Sequence, residues 1–288
     1  MAKAWIGVSG WTYPGWRGGV FYPEKHPQKR ELEYASGRFT SIEINGTFYS
    51  LQKPASFQAW YDQTPEGFRF SVKAGQFMTH VRRLKDIEGP LAFFLASGLF
   101  RLGEKLGPIL WQFPPNVMLK DDRFHRFLDL LPKSTREATR LLARHKDRLR
   151  YPEEAEPPRH LPLRHAFELR HKSFFDPKFF DLLRAHGVAL VLAHGAEKAP
   201  YAEELTADFI YARLHGEGKR YAKGYPPVEL QAWADRIRAW LKGGRDSHVY
   251  FSTEAKAHAP ACALRLLALL SVEARRKQDD PLPPRSGR

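Results

Sequence analysis

Eight short hydrophobic runs, each carrying polar residues on a fixed alternation, constrain the fold of this 288-residue chain more than any other feature. They are WIGVSG (5–10), SIEINGTF (41–48), FRFSVKA (68–74), GPILWQF (107–113), RHAFELR (164–170), VALVLAH (188–194), FIYARLHG (209–216) and HVYFST (248–253). Strand side chains alternate between two faces, so Glu43 shares a face with Asn45, Ser71 with Lys73, Glu168 with Arg170, and Arg213 with His215. Gln112 and His194 stand near the C-terminal ends of their runs. Polar groups gathered at one end of parallel strands are the signature of a site rather than of a stabilising layer.

Helix-like stretches separate the runs. Residues 54–63 carry aromatics at helical spacing, and 89–105 and 123–131 carry apolar stripes of the same period. Asp176 before Pro177 reads as an N-cap with proline in the first turn, and Gly187 as the stop. Residues 226–241 and 259–273 complete the pattern. Eight alternating strand and helix units predict an α/β fold: a (β/α)8 TIM-type barrel of parallel strands with outer helices, one domain over 1–275. No GxGxxG follows the first run, which weakens a dinucleotide-binding alternative. Residues 133–163, basic and then proline-rich, read as an insertion between strands four and five, and 276–288 as a flexible charged tail.

A hydrophobic content of 43% supports the core of one large domain. The best apolar stretch, 261–272, carries Arg265, and the start MAKAWIGVSG lacks the pattern of a secretory signal, so no membrane association and a cytoplasmic location are expected. A single cysteine, Cys262, excludes an intramolecular disulfide and a cysteine-based metal cluster. The formal net charge of +14 favours an anionic partner, either a phosphorylated small molecule or nucleic acid.

Several segments carry a more specific signal: SGWTYPGWRGGVFYP (9–23), EINGTFY (43–49), Thr79–His80 with Arg83–Leu84, WQFPPN (111–116), ELRHKSF (168–174) and ARLHG (212–216). In this order they resemble the YecE-like family, known as domain of unknown function 72, over nearly the whole chain. The resemblance implies the same barrel and no established activity. It also implies a site made of Ser9, Trp11, Glu43, Asn45, Phe48, Tyr49, Lys73, His80, Gln112, Glu168, Arg170, His171, Arg213 and His215. Two departures stand out: Phe174 and Phe175 where many members place a tryptophan, and Ser252, Thr253 and Glu254 where many carry an asparagine and aspartate cluster.

These residues are compatible with several chemistries. Lys73, Arg170, Arg213, His215 and His80 suit an anion, with Trp11 or Tyr49 as a stacking platform for a base or sugar. Hydrolysis would use Glu43 or Glu168 as base, with His215 beside them, and the same two carboxylates motivate a sugar-processing alternative. The competing reading makes the charged residues a mutually neutralising ion network. A metal held by His80, His194, His215, Glu43 and Glu168 is disfavoured by the neighbouring cations, and the sequence leaves the cofactor unknown. A non-catalytic alternative binds nucleic acid through surface arginines such as Arg140, Arg144 and Arg148. Oligomeric state has no sequence signal.

Overall fold

A computed structural model describes residues 1–119, 122–157, 159–196, 199–252 and 257–279, with side chains described through residue 271. Eight parallel strands close into a barrel in sequence order: β1 (Ala4–Ser9), β2 (Ser41–Ile44), β3 (Arg69–Lys73), β4 (Leu106–Gln112), β5 (His165–Glu168), β6 (Ala189–His194), β7 (Phe209–Leu214) and β8 (Asp246–Phe251). Pairing of β1 with β8 completes the ring, Val8 lying opposite Phe251.

Among the described residues, outer helices follow seven of the strands: α1 (Glu31–Ser36), α2 (Gly46–Tyr49), α3 (Pro54–Asp62), α4 (Glu88–Leu95), α5 (Arg123–Leu130), α6 (Thr135–Ala143), α7 (Pro177–His186), α8 (Pro227–Lys242) and α9 (Ala259–Asp279). The caps read from sequence form as expected on α7, where Asp176 accepts from the Lys178 N–H and Gly187 takes φ +65°.

Strand alternation divides the apolar residues into two cores. Ile6, Val8, Ile42, Phe70, Val72, Trp111, Phe167, Leu192 and Val249 point outward into the shell between sheet and helices. Leu110, Ala166, Ala189, Val191, Ala193, Phe209, Tyr211 and Tyr250 fill the lumen. The lumen is thus a packed interior, with Tyr250 hydrogen-bonded across it to Ser41 (2.6 Å) and Ser71 (2.7 Å).

Three local expectations are corrected. The helix over 89–105 breaks at Gly98, whose φ is +101° and where a Cβ would lie 2.4 Å from Pro54 Cα; a short 3-10 stretch, Leu99–Lys105, replaces its second half. No helix joins β6 to β7 among the described residues. There Thr206 stands in for regular pairing, accepting from the Leu190 N–H and donating to the Val188 carbonyl, each at 2.7 Å. The eighth run ends as strand at Phe251, and Thr253 and Glu254 lie outside the described residues.

Between β4 and β5, the basic stretch forms α6 with Leu141 and Leu142 buried, followed by short 3-10 turns. The last helix extends to Asp279, and residues 280–288 of the tail read from sequence lie outside the described residues.

Candidate functional site

At the C-terminal end of the barrel, β1, β2, β3, β5 and β7 bring their last inward side chains together. Arg213 on β7 stands at the centre and is 3% exposed. Its Nη2 donates to Glu43 Oε1 on β2 at 2.9 Å, and its Nη1 donates to Glu168 Oε2 on β5 at 2.5 Å. Glu43 also accepts from Ser9 Oγ and from the Tyr211 hydroxyl, both at 2.7 Å. Arg170, just past β5, folds back so that its Nε and Nη2 reach Glu168 Oε1 at 3.0 and 2.9 Å. Burial alone would push the Glu168 carboxyl up, but Arg213, with His215 and Arg170, holds it well below the usual carboxylate range. Beside both partners, the Arg213 guanidinium is held above its ordinary range despite its burial.

This geometry argues against Glu43 and Glu168 as an acid–base pair. Both are fully buried, and each shares the same guanidinium, so neither has a free basic oxygen facing the opening. An ion network is the better description. His215 completes it from β7's end, its Nε2 3.4 Å from Glu168 Oε1, beyond ordinary hydrogen-bond length and with no other acceptor among the described residues.

Lys73 differs from the rest of the cluster. Its side chain lies at the end of β3, its Nζ sits 3.9 Å from the Phe48 ring centroid, and no carboxylate or hydrogen-bond acceptor among the described residues pairs with it. Burial, reinforced by Arg213, pushes its pKa down to about 8. Gln112 at the end of β4 is 7% exposed, shares the inward phase of Leu110, and is likewise uncommitted among the described residues. Only Nε and Nη2 of Arg170 engage Glu168; its Nη1 does not.

The remaining sequence-derived site residues sort into rim and scaffold. His80 lies in a one-turn π-helical stretch, bonded to Thr79 Oγ1 at 2.8 Å and edge-on to Phe48; burial, with Lys73 nearby, lowers its pKa to about 4. The side chain of Asn45 bonds Tyr13, and its Oδ1 is buried without a partner. His171 is structural, its Nδ1 accepting from the Ser173 N–H and hydroxyl at the cap of a short turn.

Trp11 packs edge-on against Trp60 of α3. Its neighbours Trp16 and Tyr22 are buried against Phe39 and the half-buried Phe21 and Tyr34, so most of the aromatic loop serves packing rather than a stacking wall. Tyr49 is exposed and lines a separate groove of about 660 Å³ with Leu51, Phe77, Val81 and Arg148; Phe48, whose ring faces Lys73, lines it too.

His194 is a correction. It points out of the barrel onto Trp233 of α8 and bonds Tyr225, so it belongs to the shell and not to any metal set. No group of three or more His, Cys, Asp or Glu suited to a metal occurs among the described residues. Tyr211, Ser41 and Tyr250, by contrast, belong to the lumen and were missed. Their signal was available, because they share the parity of Arg213, Glu43 and Ser252 respectively.

A closed eight-stranded barrel with a charged layer at its C-terminal end defines the class of protein. The pattern of the family described as "Protein of unknown function DUF72" matches residues 5–286, and the chain belongs to that family. It is 24% identical to the UPF0759 protein YunF of Bacillus subtilis (strain 168), covering 93% of this chain and 95% of the relative. It is 28% identical to the UPF0759 protein YecE of Escherichia coli (strain K12) over 44% of each chain. Among solved structures, a DUF72 family protein (TM1631) from Thermotoga maritima MSB8 superposes with a TM-score of 0.68 at 23% identity, covering 93% of this chain and 99% of that one. The Enterococcus faecalis V583 protein EF0366 also gives 0.68, at 15% identity, covering 94% and 98%. These likenesses establish the barrel. No helix among the described residues is long and apolar enough to cross a membrane.

Proposed function

We propose that the mouth of the barrel binds a small phosphate-bearing ligand in the cytoplasm, anchored by the Nη1 of Arg170, which Glu168 does not engage, with Lys73 and Gln112 at the same mouth. The observation that carries this reading is a charge imbalance. Three cations (Arg170, Arg213 and Lys73) face two carboxylates, and Arg213 and Arg170 already satisfy both. The surplus positive charge therefore stands at Lys73, in a setting from which water is largely excluded and an anion is strongly attracted. Arginine offers a planar donor pair suited to phosphate oxygens. Glu43, Glu168 and His215 serve in this reading to hold Arg213 and Arg170 in place.

Calorimetric titration with glycerol 3-phosphate and with inorganic phosphate tests the proposal. Binding is expected to weaken at least tenfold in Arg170→Met and to survive charge reversal at Arg140, Arg144 and Arg148. The opposite pattern, with loss on the surface variants, a steep salt dependence and indifference to Arg170, would transfer the function to a nucleic-acid face. Arg144 is already paired with Glu88 at 2.9 Å, which leaves less of that face free.

A further inference from the structure

Among the described residues two lysines are almost entirely buried, and their surroundings are opposite. Lys105, 5% exposed, donates to the Tyr61 carbonyl at 2.7 Å, to the Thr64 carbonyl at 2.6 Å and to the Thr64 hydroxyl at 3.1 Å. All three of its protons are used, as expected of a structural ammonium. Lys73, 9% exposed, has none of these acceptors among the described residues. Its Nζ has the Phe48 ring on one side, and the two carboxylates nearest in charge are occupied by Arg213, Arg170, Tyr211 and Ser9. A buried amine at the C-terminal end of a barrel strand, denied a counter-ion and pressed by neighbouring guanidinium groups, is built to lose its proton.

We infer that Lys73 is a nucleophilic amine that condenses with the carbonyl group of a phosphorylated aldehyde or ketone to form an imine. This rests on the reading of the mouth as the ligand site and names the ligand's second functional group. In the step itself, the lone pair of unprotonated Nζ attacks the carbonyl carbon. A C–N bond forms while the carbonyl π pair moves to oxygen, which takes up a proton as Nζ gives one up through solvent water. The carbinolamine hydroxyl, protonated in turn, leaves as water when the nitrogen lone pair closes the C=N bond. The product is a protonated imine, so the ammonium lost at the start is replaced by an equal positive charge. The balance of the cluster is unchanged, and Arg170 Nη1 remains available for the phosphate. No oxidant, reductant or metal enters the step.

The pKa of about 8 agrees with this geometry: at pH 7 roughly a tenth of Lys73 is unprotonated, against well under a hundredth of a solvated lysine. His80 also stays unprotonated at the rim, so it adds no competing ammonium-like charge there.

The test uses glycolaldehyde phosphate and glycolaldehyde as probes, with sodium cyanoborohydride to reduce any imine to a stable amine. Rates at individual lysines are read by peptide mass spectrometry at pH 7 on the full chain. Lys73 is expected to be alkylated by the phosphorylated probe at least tenfold faster than exposed Lys25, Lys29 and Lys53. A rate at Lys73 equal to or below theirs overturns the inference, and because the unaltered protein is used, no variant need fold. If that happens while glycerol 3-phosphate still binds in an Arg170-dependent way, the anion site stands and only the imine falls. Fast labelling of Lys73 by both probes alike supports the amine and removes the phosphate anchor. Lys73→Arg, which keeps the charge but not the nucleophile, should abolish the fast adduct.

Discussion

The two ends of this barrel bury titratable groups by opposite means. At the C-terminal end, charges are kept and paired: Arg213 bridges Glu43 and Glu168, with Arg170 outside them. At the N-terminal end, the floor under Tyr211 is closed by His248, stacked against Trp5 at 6.2 Å and Tyr211 at 6.4 Å, with neither ring nitrogen hydrogen-bonded among the described residues. Burial keeps that imidazole neutral, its pKa lowered to about 3. The charges near the floor, Arg164 with Asp246 and Asp208, lie where water reaches them. A floor can be made of neutral rings. The mouth instead keeps its charges, paired, and bears the cost of desolvating them.

The largest effect that could break this contrast is removal of Arg213. Arg213→Met should destabilise the protein by about 3–5 kcal/mol, because two buried carboxylates lose their common partner. Arg164→Met at the other end should cost under about 1 kcal/mol, as its ion pairs are partly solvated. Urea unfolding of the two variants measures both, and equal losses would erase the distinction.

Acid provides the next test. His248 and His165 both have folded-state pKa values below the ordinary value, at about 3 and about 4. In His165 the Nδ1 accepts from the Trp111 indole and the Nε2 proton goes to the Pro132 carbonyl, which fixes the neutral tautomer. For such groups the unfolded chain takes up protons first. Their stabilising contribution is therefore complete above about pH 6.5 and is lost as pH falls toward 4, amounting to a few kcal/mol. Glu168, whose carboxyl is held low, loses its contribution only at still lower pH. His248→Phe should flatten the upper part of the acid unfolding curve; an unchanged curve would mean the floor does not titrate.

A smaller effect, of the same sign but in an alkaline window, belongs to Lys73. Its folded-state pKa lies below that of a solvated lysine, so folding is disfavoured while the amine must be charged and becomes easier as pH rises from 8 to about 10.5. Lys73→Met should stabilise the protein at pH 7 by about 1–3 kcal/mol while abolishing ligand chemistry at the mouth. A destabilised variant would place Lys73 among the structural residues, with Lys105.

Much of this was legible in the sequence. The parity of Glu43, Lys73, Arg213 and their neighbours follows from the strand repeat alone, and so does their convergence once eight parallel strands close. What alternation does not reveal is which face of an apolar strand is the lumen. His194 looked like a mouth residue because it ends its run, yet Ala189, Val191 and Ala193 are the small inward residues of β6, and their parity sends His194 outward. Nor could pairing be read: the capture of both glutamates by one arginine depends on distances across the lumen between residues 43, 168 and 213. The break at Gly98 is another long-range fact, set by the backbone of Pro54 more than forty residues earlier.

The crossbar that Tyr250 makes with Ser41 and Ser71 has a consequence for traffic. With Tyr211 beside it and the ring-lined floor beneath, it seals the packed lumen below the mouth, so the mouth is a cul-de-sac. A ligand bound at the mouth, as proposed, would have to leave by the opening through which it came.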